Sequence, residues 1–156
     1  MARLAFSKAR AQRGVAMVEF TITLPLLLLL LFAIAEFGRL LFQYNSLLQA
    51  NRDAVRYVAG KAWNPTLGTV ELSTTLQAAT KNLAVYGVPV APANGQALVP
   101  GLTTTNVQVT AVGTTHVQVS TSFTFVPVLG GGIPGFIGNG VSFGFPLVAT
   151  TVMRVL

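Results

Sequence analysis

The sequence contains no cysteine, one histidine (His116) and only four acidic residues, Glu19, Glu36, Asp53 and Glu71. Without thiols there is neither a disulfide framework nor a thiolate metal site. One histidine and scattered carboxylates supply no recognisable ligand set for a metal ion, so no metal and no cofactor is expected. Ser7, Ser46, Ser73, Ser120, Ser122 and Ser142 carry no nucleophile motif, and a single histidine with a single aspartate is a poor basis for a triad. The glycines of residues 130–140 do not lead from a strand into a helix bearing Lys-Ser/Thr, which argues against phosphate cradling. Enzyme activity is therefore not expected.

Charge is also scarce, at 9% of residues against 52% hydrophobic, where soluble domains carry about 25% charged. The apolar excess is concentrated in one place. Phe20 to Ala35 is uncharged throughout, and extension back to Val15 crosses only Glu19. A helix from Val15 to Ala35 is about 31 Å long, matching the roughly 30 Å hydrocarbon core of a bilayer. One membrane span fits here, and no later segment does.

The formal net charge of +6 suggests nucleic acid at first sight. Four of the ten bases, Arg3, Lys8, Arg10 and Arg13, precede the apolar run with no acid among them. The other six face four acids without forming the concentrated patch that phosphate binding uses, so nucleic acid is not an expected partner. Bases ahead of the span and a mixed set after it (Glu36, Arg39, Arg52, Asp53) place the N-terminus in the cytoplasm and the C-terminal domain outside it.

The chain reads as four stretches: a basic segment 1–14, a membrane helix 15–35, an amphipathic stalk 36–61 and an extracytoplasmic domain 62–156. In the stalk Leu40, Leu41, Tyr44, Leu47, Leu48, Val55 and Val58 recur mainly at helical spacing, with Gly60 and Pro65 as stop signals. Pro25 lies inside the apolar half, where it removes one backbone hydrogen bond and predicts a kink. A second helix is predicted from about Val70 to Tyr86, ended by Gly87, followed by a Pro/Gly-rich connection over residues 88–101. From Asn106 the period becomes two: Val107, Val109 and Ala111, then Val117, Val119, Phe123 and Phe125, with Gly113-Thr114 as a hairpin turn. Residues 130–140 read as a loop carrying apolar Ile133, Phe136 and Ile137. Val141, Phe143, Phe145, Leu147 and Ala149 then alternate into a last strand ending near Arg154. The expected class is α+β, a small three- or four-stranded antiparallel sheet covered by helix.

The most informative residues are Gly14, Glu19 and Phe20. A carboxylate within the apolar end of a membrane helix costs about 2.5 kcal/mol or more and needs a partner or a polar location. If the bond between Gly14 and Val15 is cut, the new Val15 amine lies about one helical turn from Glu19, and the two can pair within a chain or between neighbours. At these residues the sequence resembles the type IV prepilins, whose peptidase cuts after a glycine and whose fifth mature residue is a glutamate. It more closely resembles the TadE-like minor pilins of tight-adherence pili, through Arg13-Gly14, Val18-Glu19-Phe20, Leu24-Pro25-Leu26, Glu36-Phe37-Gly38-Arg39 and Asn51-Arg52-Asp53-Ala54-Val55-Arg56-Tyr57. The resemblance covers about residues 13–60. It implies cleavage by a prepilin peptidase and assembly with other pilins or pseudopilins and an inner-membrane platform, as a minor subunit of a pilus or related secretion apparatus.

Two other readings stand beside it. Glu19 can snorkel to the headgroups of an ordinary, unprocessed anchor in a static envelope protein. A signal peptide can be cut after Ala33-Ile34-Ala35, before Glu36, although that leaves Glu19 and the continuing helical periodicity unexplained. Glu36 and Arg39 are spaced as a same-face pair. Phe20, Glu36, Arg39, Arg52 and Arg56 are candidate subunit contacts, with plain solvation as the alternative for the charges. His116 falls on the strand face opposite Val117 and is expected to be exposed. Phe136 and Ile137 can serve a protein contact or pack within the domain.

Overall fold

A computed structural model describes residues 5–128, 132–133, 141–142 and 144–156. Helix α1 runs over Ala5–Ala59, 55 residues, with Pro25 inside it. It starts earlier than periodicity predicts because residues 5–13 are rich in alanine, lysine, arginine and glutamine, all strong helix formers. It continues through Pro25, which cannot donate to the Thr21 carbonyl one turn back. The chain divides into two compact units, Met1–Arg39 and Leu40–Leu156.

In the first unit the apolar side chains from Val15 to Phe37 stand largely exposed, Leu26 and Leu29 at 67%. No protein core covers them. Thr21 and Thr23 satisfy their hydroxyls locally, donating to the carbonyls of Met17 at 2.7 Å and Glu19 at 2.9 Å. A polar side chain that bonds back to its own helix can enter an apolar environment without an orphaned donor.

The second unit has a core built on one face of α1. Leu47, Ala50, Asn51, Ala54, Val55, Val58 and Ala59 are all buried, at steps of three and four that form one stripe. The stripe packs on a three-stranded antiparallel sheet of order β3-β4-β7, formed by β3 (Val107–Val112), β4 (His116–Phe125) and β7 (Phe145–Arg154). Val107 and Val109 of β3, Val117, Val119, Thr121, Phe123 and Phe125 of β4, and Leu147 and Ala149 of β7 point inward. Alternation thus selects the covered face, and small alanines on α1 allow close approach. The β3–β4 turn contains Gly113 at φ 65°, a left-handed conformation that glycine adopts readily.

Helix α2 (Thr74–Tyr86) begins four residues later than the sequence pattern suggests. Val70 belongs instead to a small hairpin of β1 (Trp63–Asn64) and β2 (Thr69–Val70) that periodicity did not reveal. Ser73 caps the helix, its hydroxyl accepting from the Leu76 N–H at 3.2 Å. At the other end Gly87, φ 75°, donates its N–H to the Leu83 carbonyl, as its position after the helix predicted. Residues 88–101 form the expected connection and bury Val99 in the core.

The last strand also differs from its sequence reading. Val141–Ser142 forms β6 and pairs with β5 (Gly132–Ile133), whereas β7 pairs with β4 only from Phe145 onward, in the register Phe125↔Phe145. Phe143, Phe136 and Ile137 lie outside the described residues. The α+β class and the antiparallel sheet stand as expected.

Candidate functional site

Gly14 and Val15 lie in a regular turn of α1 and are exposed. A Cβ added at Gly14 meets nothing within 4 Å, so packing in this chain does not require glycine there. Glu19, one turn after Val15, is exposed, and among the described residues its carboxylate has no ion-pair partner. Its backbone carbonyl is engaged by Thr23. Phe20 is 57% exposed beside it. From Val15 to Ala35 the helix therefore presents one acid on a surface that is otherwise uncharged.

Glu36 and Arg39 form the pair that their spacing predicts. Arg39 Nε donates to Glu36 Oε1 at 3.2 Å, and Nη2 reaches the same oxygen. Further along α1, Arg52, Asp53 and Arg56 are exposed, on the side away from the buried stripe. His116 is exposed, as its strand position predicts, with Nδ1 3.0 Å from Thr115 Oγ1.

Sequence reasoning named Asn51 as part of a motif and gave it no role. It is fully buried, and its side chain is the most completely bonded polar group of the core. Nδ2 donates to the Val119 carbonyl at 3.1 Å and to Thr151 Oγ1 at 3.0 Å, while Oδ1 accepts from Thr121 Oγ1 at 3.1 Å. Stalk helix, central strand and edge strand are joined at one side chain. A polar residue on the apolar stripe, four positions after Leu47 and four before Val55, was the signal available in the sequence.

Two residues after α1 ends, a shallow cleft is lined by Lys61, Trp63, Asn64, Glu71 and Ser73, among others. Lys61 Nζ lies 4.4 Å over the Tyr57 ring and donates to its hydroxyl. Asn64 organises the β1–β2 turn by accepting from the Thr66 and Leu67 N–H groups. Asn64 is thus occupied in holding the turn, Lys61 by Tyr57, and Ser73 in capping α2. No group of three His, Cys, Asp or Glu that could hold a metal exists among the described residues.

One helix, from Gly14 to Ala59 among the described residues, is long and apolar enough to cross a membrane. The family model described as "TadE-like protein" matches residues 14–56. No curated protein and no solved structure matches the chain significantly. The match spans most of the apolar helix, Glu19, the Glu36–Arg39 pair and Asn51. Residues 14–56 are thus similar to the TadE-like family, and the one long apolar helix among the described residues fits a single-pass membrane protein.

Proposed function

We propose that the chain is a minor pilin or pseudopilin, held in the inner membrane by α1 with its N-terminus in the cytoplasm and its second unit outside. The observation that carries this reading is positional: the TadE-like match begins at Gly14, and Glu19 stands at the fifth position after it, the one acid in the apolar run.

On this reading a prepilin peptidase cuts between Gly14 and Val15. The site is helical in the uncut chain, so it must unwind to enter a protease as extended chain. Glycine lowers that cost because it stabilises a helix less than any residue but proline. Cutting removes Arg3, Lys8, Arg10 and Arg13 and creates a cationic amine at Val15. That amine is the nearest cation for Glu19, either in the same chain or in a neighbour packed alongside. Lipid provides little hydrophobic drive between apolar helices, so polar pairs of this kind and close packing supply the association. Phe20, Glu36, Arg39, Arg52 and Arg56 are the further positions at which other pilins or the assembly platform are to be sought. No cofactor takes part.

Mass determination of the protein extracted from native membranes tests the reading. The expected N-terminus is Val15. An intact Met1 leaves an unprocessed single-span envelope protein, and an N-terminus at Glu36 indicates a secreted protein freed by signal peptidase.

A further inference from the structure

The second unit has two chemically different ends. Thr151 of β7 is hydrogen-bonded to Asn51, and Leu156, two residues past the strand, donates its N–H to the Ala59 carbonyl, so strand and helix run in the same sense. From Thr151 back to Phe145 is about 20 Å of strand, and from Asn51 back to Leu40 is about 17 Å of helix. The Phe145 end of the sheet therefore lies at the level where α1 enters the unit. The opposite end holds Arg154 across from His116, and near the β3–β4 turn, through the Val70 N–H to Thr114 bond, the β1–β2 hairpin with Lys61 and Glu71 on its flanks.

At the Phe145 end, beside the exposed hydroxyls of Ser122 and Thr124, stand several exposed apolar side chains. Val126 is 66% exposed, Val128 75%, Phe145 51% and Val148 51%, and on α1 Phe42 is 70% exposed. Asp, Glu, Lys and Arg are absent from the whole stretch between Lys81 and Arg154. The far end also exposes apolar side chains, Leu67 at 65% and Leu156 at 91%, but it carries Lys61, Glu71 and Arg154 as well; an exposed apolar cluster without charged side chains of its own unit marks a contact surface. The occupant follows from the tether. Leu40 comes five positions after Ala35, the last residue of the apolar run, so even extended chain holds Leu40, where α1 enters the unit, within about 18 Å of the hydrocarbon edge. Given the anchor, the apolar surface that is always present there is the bilayer itself.

We propose that the Phe145 end of the second unit, through Val126, Val128 and Phe145, docks on the outer leaflet and seats in the headgroup–acyl boundary as a second membrane contact. Its affinity comes from apolar burial, so zwitterionic lipid suffices and salt has little effect. This rests on the anchor reading, and the test separates the two.

The absence of cysteine permits single-site labelling of the full chain. Val126→Cys, Val128→Cys and Phe145→Cys, each carrying an environment-sensitive fluorophore, are reconstituted in phosphatidylcholine vesicles with and without nitroxide lipid labelled near the headgroup. Leu28→Cys reports the anchor, and Leu67→Cys, on the β1–β2 turn at the far end and 65% exposed, reports water. The expected result is blue-shifted emission and loss of intensity to nitroxide at 126, 128 and 145, with neither at 67. Adding Val128→Asp should red-shift the label at 126 and reduce its quenching. Labels at 126, 128 and 145 that behave like the one at 67, or are blue-shifted without quenching as a protein contact gives, overturn the docking while blue-shifted emission at 28 upholds the anchor. A label at 28 that emits like the one at 67 overturns both.

Discussion

Asn51 on α1 and Thr121 on β4, 70 positions apart, share a 3.1 Å hydrogen bond in complete burial. The bond fixes which turn of the stalk meets which residue of the sheet. Buried polar groups specify a register more sharply than apolar contacts do, because every misaligned arrangement leaves donors and acceptors unpaired.

Asn51→Ala should therefore destabilise the second unit by about 2 to 3 kcal/mol, since it orphans the Thr121 hydroxyl and removes a donor from the Val119 carbonyl. Thr121→Ala is expected to cost less, and the double variant less than the sum of the two. The single tryptophan, Trp63, sits in this unit, so its fluorescence during urea unfolding in detergent reads the effect. Additive losses would show that the two side chains act independently.

Gln43 presents the opposite case. It is 5% exposed, and among the described residues its Oε1 has no hydrogen-bond donor. Gln43→Met keeps the length of the side chain and removes the orphaned oxygen, and should stabilise the unit by about 1 kcal/mol. The urea midpoint should rise; an unchanged or lower midpoint indicates that the amide contributes a bond on balance.

Gly87→Ala is expected to cost about 1 to 2 kcal/mol, because φ at 75° is left-handed and an L side chain is strained there. Space is not the reason, since an added Cβ would meet Leu98 at an ordinary 3.7 Å. Thermal unfolding should show Gly87→Asn less impaired than Gly87→Ala.

Glu36→Gln should change stability by no more than about 0.5 kcal/mol, as expected of a partly exposed pair within one helix. Added salt should shrink the difference. A larger loss that salt does not affect would assign Glu36 to a contact beyond its Arg39 pair.

Glu19→Ala should leave membrane insertion intact, because it removes the costliest side chain from the apolar run, and should reduce copurification with pilus components several-fold. Glu19→Asp should restore part of it. Normal incorporation of Glu19→Ala would remove the assembly pair from the proposal.

Much of this fold is legible in order of residues alone. The period of two places β3 and β4 with the right faces inward, Gly113 marks their turn, Gly87 ends α2, and the recurrence of Leu47, Val55 and Val58 gives the buried side of the stalk. Each signal is local, repeating over a few positions. The β1–β2 hairpin escaped because strands of two residues carry no period, and β7 appeared too long because Val141 continues its alternation while pairing elsewhere.

What the sequence by itself determined is the apolar helix and its acid: a bilayer-length apolar run, Glu19 within it and Gly14 five positions before, all fixed by composition and spacing. Only the tertiary structure decided what Asn51 does and where Phe145 and Val128 come to lie. A hydrogen bond across 70 positions and an apolar end assembled from β7 and the segment that follows β4 are properties of strand register and helix docking, which no local pattern encodes.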